Sequence, residues 1–217
     1  MTLIFLTVVE THGKDRLEGV TIAQVDEHLQ PIESTKEYIE CDTLMLSVGL
    51  IPENELTKNV GIGIDRITNG AVVDEMRMTD HPGVFACGNV LHVHDLVDYV
   101  TLESQIAGEG AANYILGKGS KETVYVNTTT GNGVRYLVPQ RVNIKNENDV
   151  KLYFRVGRIF KNAKVVLECD GEIISSKKKV KLAPGEMEQV ILKKADLEQI
   201  PDLSLITIEI RTQEGEA

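Results

Sequence analysis

Residues 76–116 read MRMTDHPGVFACGNVLHVHDLVDYVTLESQIAGEGAANYIL. The apolar run 84–87 predicts a short buried strand, and Pro82-Gly83 marks its start. Gly88-Asn89 predicts a sharp turn, because these residues accept backbone angles that bulkier ones resist. A polar connection then leads to a helix predicted from about residue 101 to about residue 116. A strand, a turn and a helix N-terminus in this order indicate a site for an anionic or electron-rich group.

The ends and the inner face of this helix follow from its small and apolar residues. Thr101 is the predicted N-cap, with Glu103 in the first turn, and Gly117 stands where a helix ends. The predicted inner face carries Leu102, Ile106, Gly110, Asn113 and Leu116 or their neighbours. Small residues beside them would let a sheet or a cofactor approach closely.

A family resemblance rests on two segments. Residues 79–89, TDHPGVFACGN, resemble the second FAD-binding motif of the pyridine nucleotide-disulfide oxidoreductase superfamily, T-x-x-P-x-[IV]-[FY]-A-x-G-D. Residues 41–56, CDTLMLSVGLIPENEL, are similar to the segment where that family's NAD domain crosses back to its FAD domain. Asn89 departs from the family's Asp, which hydrogen-bonds the flavin ribityl chain; an Asn still accepts through its amide oxygen and also donates. Within that family, residues 47–56 and 86–101 most resemble the corresponding segments of bacterial flavoproteins that accompany anaerobic glycerol-3-phosphate dehydrogenase-like enzymes.

The resemblance implies the cofactors FAD and NAD(P) and a set of cofactor-binding residues. Gly88, Asn89 and Val90 would contact the flavin, and the backbone amides of Thr101 and Leu102 would face its pyrimidine edge. Hydride would pass between the nicotinamide and flavin N5, and electrons would go on to a partner such as a glycerol-3-phosphate dehydrogenase-like flavoprotein. Because the cofactor carries the chemistry, no catalytic side chain is expected.

The resemblance covers residues 1–118 and divides them in two. Residues 1–50, with predicted strands at 3–9, 17–25 and 38–48, would end an NAD domain as a three-strand meander. Residues 51–118 would form the C-terminal half of an FAD domain, giving an α/β fold. Residues 61–74, GIGIDRITNGAVVD, predict a hairpin and not a dinucleotide fingerprint, because the third Gly and the following helix are missing.

No G-x-G-x-x-G occurs in the 217 residues. A complete superfamily enzyme resembles a chain with two such fingerprints, one for FAD and one for NAD. The expectation is therefore a C-terminal portion of a longer flavoprotein that binds FAD weakly or not at all and is inactive by itself.

Residues 119–217 predict a second, all-β domain. About seven short strands, with turns at Asn132-Gly133, Asp170-Gly171 and Pro184-Gly185, are typical of an immunoglobulin-like sandwich. Such sandwiches commonly serve as docking surfaces. The alternative to an oxidoreductase is thus a non-enzymatic interaction or dimerisation module, and a homodimer formed through strand exchange is a further open alternative.

Charge and composition exclude several classes of protein. Residues 1–118 carry 7 Lys and Arg against 19 Asp and Glu, a net charge of −12, whereas residues 119–217 carry 16 against 14. The acidic first region argues against nucleic-acid binding. No apolar stretch is long enough for a membrane span, and no signal peptide is convincing, so the cytoplasm is expected.

The cysteines and histidines predict no metal centre. The three cysteines, Cys41, Cys87 and Cys169, form no C-x-x-C, which disfavours a disulfide reductase and a zinc knuckle. His92 and His94 could share a face as metal ligands with Asp95. No further ligand stands at a convincing spacing, so no metal site is predicted; a flavin-tuning role and an ordinary loop position stay open for both histidines.

Overall fold

A computed structural model of the chain describes residues 6–26, 28–46, 49–118, 122–200 and 202–212. The residues group into two units, 1–49 and 50–217.

The first unit contains an antiparallel sheet of order β1-β2-β3. Its strands are β1 (Leu6–His12), β2 (Gly19–Gln24) and β3 (Glu37–Glu40). Val20 and Ala23 on the central strand are buried. The three predicted strands are thus present, although residues 3–5 of the first prediction and residues 47–48 of the third lie outside the described residues. The third strand ends at Glu40, well before residue 48.

Residues 50–118 form the first part of the second unit. Helix α1 (Glu55–Asn59) precedes antiparallel bridges between Ile64 and Ala71, Val73 and Thr79, and Met78 and Phe85. The first bridge confirms the hairpin predicted at 61–74. The strand predicted at 84–87 is reduced to the bridge at Phe85. A 3-10 turn at Gly88–Val90 and helix α2 (Val97–Ile115) follow.

Helix α2 begins four residues before the predicted start. Its N-cap is Leu96, in extended conformation and without a side-chain cap. Thr101 is not the N-cap, because its hydroxyl lies in the second turn and donates to the Val97 carbonyl at 3.1 Å. The end of the helix agrees with the prediction, since Gly117 takes φ +62° and the amide of Lys118 reaches back to the Asn113 carbonyl.

The inner face of α2 agrees with the prediction at Gly110 and lies one residue further along at Glu103 and Ala107. The buried residues are Glu103, Ala107 and Gly110, whereas Leu102 and Leu116 are 37% and 62% exposed. The face is rotated by one residue because buried polar groups around Glu103, and not a leucine stripe, fix the helix. Hydrophobic periodicity does not detect such an anchor.

In the described residues after 118, the second unit contains eight strands and a short helix. They are β4 (Tyr125–Thr130), β5 (Val134–Val138), β6 (Arg141–Asn143), β7 (Val150–Val156), β8 (Phe160–Cys169), β9 (Glu172–Leu182), β10 (Glu188–Leu192), α3 (Lys194–Leu197) and β11 (Leu205–Arg211). Strands β5 and β6 are separated at Pro139, whose missing N–H cannot continue a ladder.

These strands form two sheets of order β10-β7-β5 and β6-β4-β11-β8-β9. Neighbouring strands run antiparallel except β11 and β4, which pair in parallel. The immunoglobulin-like assignment is not confirmed, since that fold consists of antiparallel sheets with other strand neighbours. What the structure supports is the coarser description, a β-rich region after a partial FAD/NAD-binding region.

One apolar core joins both sheets. Phe154 of β7, Leu192 of β10 and Ile208 of β11 are fully buried in the same cluster. On β11 burial alternates, because Ile206, Ile208 and Ile210 point inward and Leu205 is exposed. Among the described residues, no helix is long and apolar enough to cross a membrane.

Replacing Ile208 by Ala should lower the free energy of unfolding by about 2–5 kcal/mol, because it leaves a cavity in this core. The matched control is Val180→Ala on β9, whose side chain is 82% exposed and whose loss should stay within about 0.5 kcal/mol. Urea unfolding followed by circular dichroism measures both. Equal losses would contradict the core assignment.

Candidate functional site

A buried carboxylate, Glu103, lies at the centre of the polar groups in residues 50–118. Its side chain is fully shielded from solvent on the inner face of α2. Four nitrogen atoms lie within hydrogen-bond distance: Arg77 Nε and His92 Nε2 on Oε1, and His94 Nε2 and the Gly88 amide on Oε2. The distances are 3.1, 2.9, 2.9 and 3.0 Å in that order. Two donors on each oxygen satisfy the carboxylate completely.

Arg77 reaches Glu103 from a strained turn. Its backbone adopts φ +69°, and its side chain is fully buried. The Asp74 carboxylate holds the turn by accepting from the amides of Met76 and Met78. A non-glycine residue in the left-handed region costs on the order of 1 kcal/mol, which the buried ion pair with Glu103 offsets. The turn therefore places the Arg77 guanidinium against the Glu103 carboxylate.

The two histidines extend this network towards the β-rich region. His92 Nδ1 faces the Tyr136 hydroxyl at 3.4 Å, and that oxygen accepts from Arg155 Nε at 3.1 Å. Arg155 also donates to the Val93 carbonyl and pairs with Asp95. Strands β5 and β7 thus fix the loop that carries both histidines.

Protonation states follow from these contacts. Burial alone would raise the pKa of Glu103, but the hydrogen bond and charge of His92 and the charge of Arg77 outweigh it and hold that pKa below its usual value. Burial, and then the neighbouring His92, lowers the pKa of His94 to about 4. At neutral pH the site therefore combines a carboxylate with a neutral His94.

A second carboxyl group, Glu75, behaves in the opposite way. Its pKa is raised to about 7, chiefly by burial and also by the nearby Asp74 charge, although the Asn143 amide, which donates to its Oε2 at 2.9 Å, opposes the rise. It lines a cavity of about 620 Å³ that also contacts Phe85 and Tyr114.

The structure places the sequence-predicted residues in two groups. Gly88 has φ +71° and is buried, as the sharp turn requires, and its amide donates to Glu103. Asn89 Oδ1 accepts from the His94 amide at 3.0 Å, and Asn89 Nδ2 has no hydrogen-bond partner within the described ranges. The Val90 carbonyl accepts from Asn54 Nδ2 at 2.7 Å. These three residues form one turn.

Thr101 and Leu102 lie elsewhere. As the fifth and sixth residues of α2, their amides donate to carbonyls four residues earlier, as in any helix interior. The amides at the helix start belong instead to Val97 and Asp98, where no side chain caps them. The early helix start thus removes the predicted amide role of Thr101 and Leu102.

Residues 8–108 match the family model described as pyridine nucleotide-disulphide oxidoreductase. The match takes in the first sheet, the Gly88 turn and the first half of α2, and it supports a relationship to that family. The family generally binds FAD and NAD(P). A search of curated proteins gives no significant match.

Sequence reasoning missed Glu103, Arg77 and the β-region residues around them. Glu103 was assigned to the first helical turn, where an acidic residue favours the helix dipole and faces water. The one available signal was charge, since Arg77 is an isolated cation between acidic residues. Nothing local, however, indicates which of 19 carboxylates in residues 1–118 it pairs with.

Replacing Glu103 by Ala should destabilise the second unit strongly, because the fully buried Arg77 would lose its counter-charge. Breaking such a pair costs about 3–5 kcal/mol. The control is Glu109→Ala, an exposed position on the same helix, where a change within about 0.5 kcal/mol is expected. Chemical denaturation of both variants measures the difference, and similar stabilities would contradict the assignment.

The raised pKa of Glu75 predicts how the stability of the chain changes with pH. Between its ordinary pKa of 4.5 and its folded value of about 7, the folded chain keeps a proton that the unfolded chain has lost. The contribution of Glu75 to stability is therefore full below pH 4.5 and falls as pH rises towards 7.

Replacing Glu75 by Gln removes this dependence while keeping an oxygen for the Asn143 amide. The variant should resemble the native chain at pH 5 and be more stable at pH 8, by a few kcal/mol at most, at about 1.4 kcal/mol per pKa unit. Thermal unfolding of both chains across this range is the measurement. A difference that does not change with pH would refute the prediction.

Proposed function

We propose that the chain functions in an FAD-dependent NAD(P)H oxidoreductase, with residues 50–118 contributing one side of the flavin site. The family match over residues 8–108 supports the reaction class. The observation that carries the flavin assignment is the Gly88 turn, which lies inside the matched stretch and takes the positive φ of a sharp turn. The start of α2 follows it with uncapped amides.

The residues of the turn fit a flavin side chain in one specific way. Asn89 Oδ1 is engaged by the His94 amide at 3.0 Å, so the amide nitrogen of Asn89 is the group that remains for a ribityl hydroxyl. Asn89 would therefore bind FAD as a donor, where the family's Asp acts as an acceptor. Gly88 shapes the turn, and Val90 offers an apolar side chain that is 40% exposed.

The bound flavin would accept hydride from a nicotinamide and pass electrons on. The protein's own residues would orient the ring: the amides of Val97 and Asp98 present partial positive charge at the helix start. Glu103 would hold the turn through the Gly88 amide. Because the chain has no dinucleotide fingerprint, these contacts serve the flavin and ribityl part, and the ADP part needs other groups.

The electron acceptor belongs to the same proposal. Residues 1–118 carry a net charge of −12, which would steer a basic face of a partner protein towards them. A flavoprotein of the glycerol-3-phosphate dehydrogenase type is the proposed partner, and its support is the likeness in sequence around residues 47–56 and 86–101.

An amide-resolved titration tests the flavin site even if binding is weak. Adding FAD, and separately riboflavin, to the isotope-labelled chain should shift the amide signals of Gly88, Asn89 and Val90, together with those of Val97 and Asp98. Similar affinities for both ligands are expected, because the sequence has no dinucleotide fingerprint to hold the ADP part. Absence of shifts at these amides under millimolar FAD would refute the site.

The variant Asn89→Asp sharpens the test. A carboxylate restores the family's acceptor, and a charge-assisted hydrogen bond exceeds a neutral one by about 1 kcal/mol, so binding should tighten roughly fivefold. The control is Asn148→Asp, the same charge change at an exposed position, where no tightening is expected. Equal effects of both variants would show that charge alone, and not the turn, decides the affinity.

A further inference from the structure

Three metal-ligating side chains converge inside the second unit. One ligand atom from each of His92, His94 and Glu103 lies within 4.8 Å of the other two. The histidines belong to the loop before α2, and Glu103 belongs to the helix itself. All three side chains are at most 1% exposed. The sequence offered His92, His94 and Asp95 as candidate ligands, and the fold brings Glu103 to the two histidines.

We propose that His92, His94 and Glu103 bind a divalent transition-metal ion of the zinc class. Two imidazoles and one carboxylate form a three-ligand set that zinc enzymes use, with the fourth position left to solvent. The same set with more open positions binds ferrous iron. Asp95, considered as a ligand from the sequence alone, pairs with Arg155 and is not part of the set.

The ligand atoms need little rearrangement. Both Nε2 atoms already lie 2.9 Å from Glu103 oxygens, so an ion between them replaces two hydrogen bonds. Each ring proton moves from Nε2 to Nδ1. The new N–H of His92 then faces the Tyr136 hydroxyl, the kind of outer partner that ligating histidines ordinarily have. His94 Nδ1 is buried and has no partner among the described residues.

Arg77 is the main opposing charge, and it also indicates the fourth ligand. Its Nε holds Glu103 Oε1, while its Nη2 is buried without a partner in the described part of the chain, as is the Tyr153 hydroxyl. The guanidinium carbon lies 5.6 Å from the Tyr153 ring centre. A hydroxide as the fourth ligand would reduce the positive charge of the ion beside this guanidinium.

Cobalt(II) chloride added to the complete chain tests the site directly. A four-coordinate Co²⁺ site absorbs visible light through d–d transitions, so absorption should rise to one equivalent and disappear when Zn²⁺ is added. A folded native chain without such absorption at millimolar Co²⁺ would overturn the proposal. The result is independent of flavin, so it stands or fails separately from the oxidoreductase assignment.

Two variants assign the signal to the site. His94→Gln keeps a side-chain N–H donor for Glu103 and removes the imidazole, so the cobalt absorption should be lost while circular dichroism shows the folded chain. His81→Ala, at an exposed histidine, should leave the absorption unchanged. Absorption that persists in His94→Gln, or disappears in His81→Ala, would place the ion elsewhere and overturn the proposal.

Discussion

The four hydrogen bonds to Glu103 are the constraint on which the second unit depends. A carboxylate removed from water is stable only when its charge and its lone pairs are matched. Arg77 supplies the charge, and His92, His94 and the Gly88 amide complete the set. Since these donors come from a strained turn, a loop and a 3-10 turn, one side chain on α2 fixes three irregular segments that could not hold their shape alone.

The same constraint explains why the β-rich region is not a detached module. Tyr136 on β5 and Arg155 on β7 complete the environment of His92 and of the loop that carries it. Their partners lie more than 40 positions earlier in sequence, and residues 50–217 form one unit. The sheets therefore help to position the candidate site, and a view of them as a docking surface alone leaves their buried polar contacts unexplained.

The sequence predicted correctly those features that neighbouring residues determine. The turns predicted at Asn132-Gly133, Asp170-Gly171 and Pro184-Gly185 fall between strands, and the glycine after α2 ends that helix, because tight turns and a left-handed C-terminus are encoded by neighbouring residues. The parallel pairing of β11 with β4 was beyond reach, since alternation does not specify strand order. The start of α2 was missed because Leu96 offers no capping side chain. Glu103 was missed because its partners are set by tertiary contacts.

Gly88 and His94 share one oxygen of Glu103, and this links the two proposed sites. The Gly88 amide shapes the turn proposed for the flavin, and His94 Nε2 belongs to the proposed metal set. An ion that draws electron density from Glu103 weakens its hold on the Gly88 amide, so occupancy of one site must alter affinity at the other, and by the same factor in both directions. A buried carboxylate with two donors on each oxygen cannot exchange one partner without adjusting the rest.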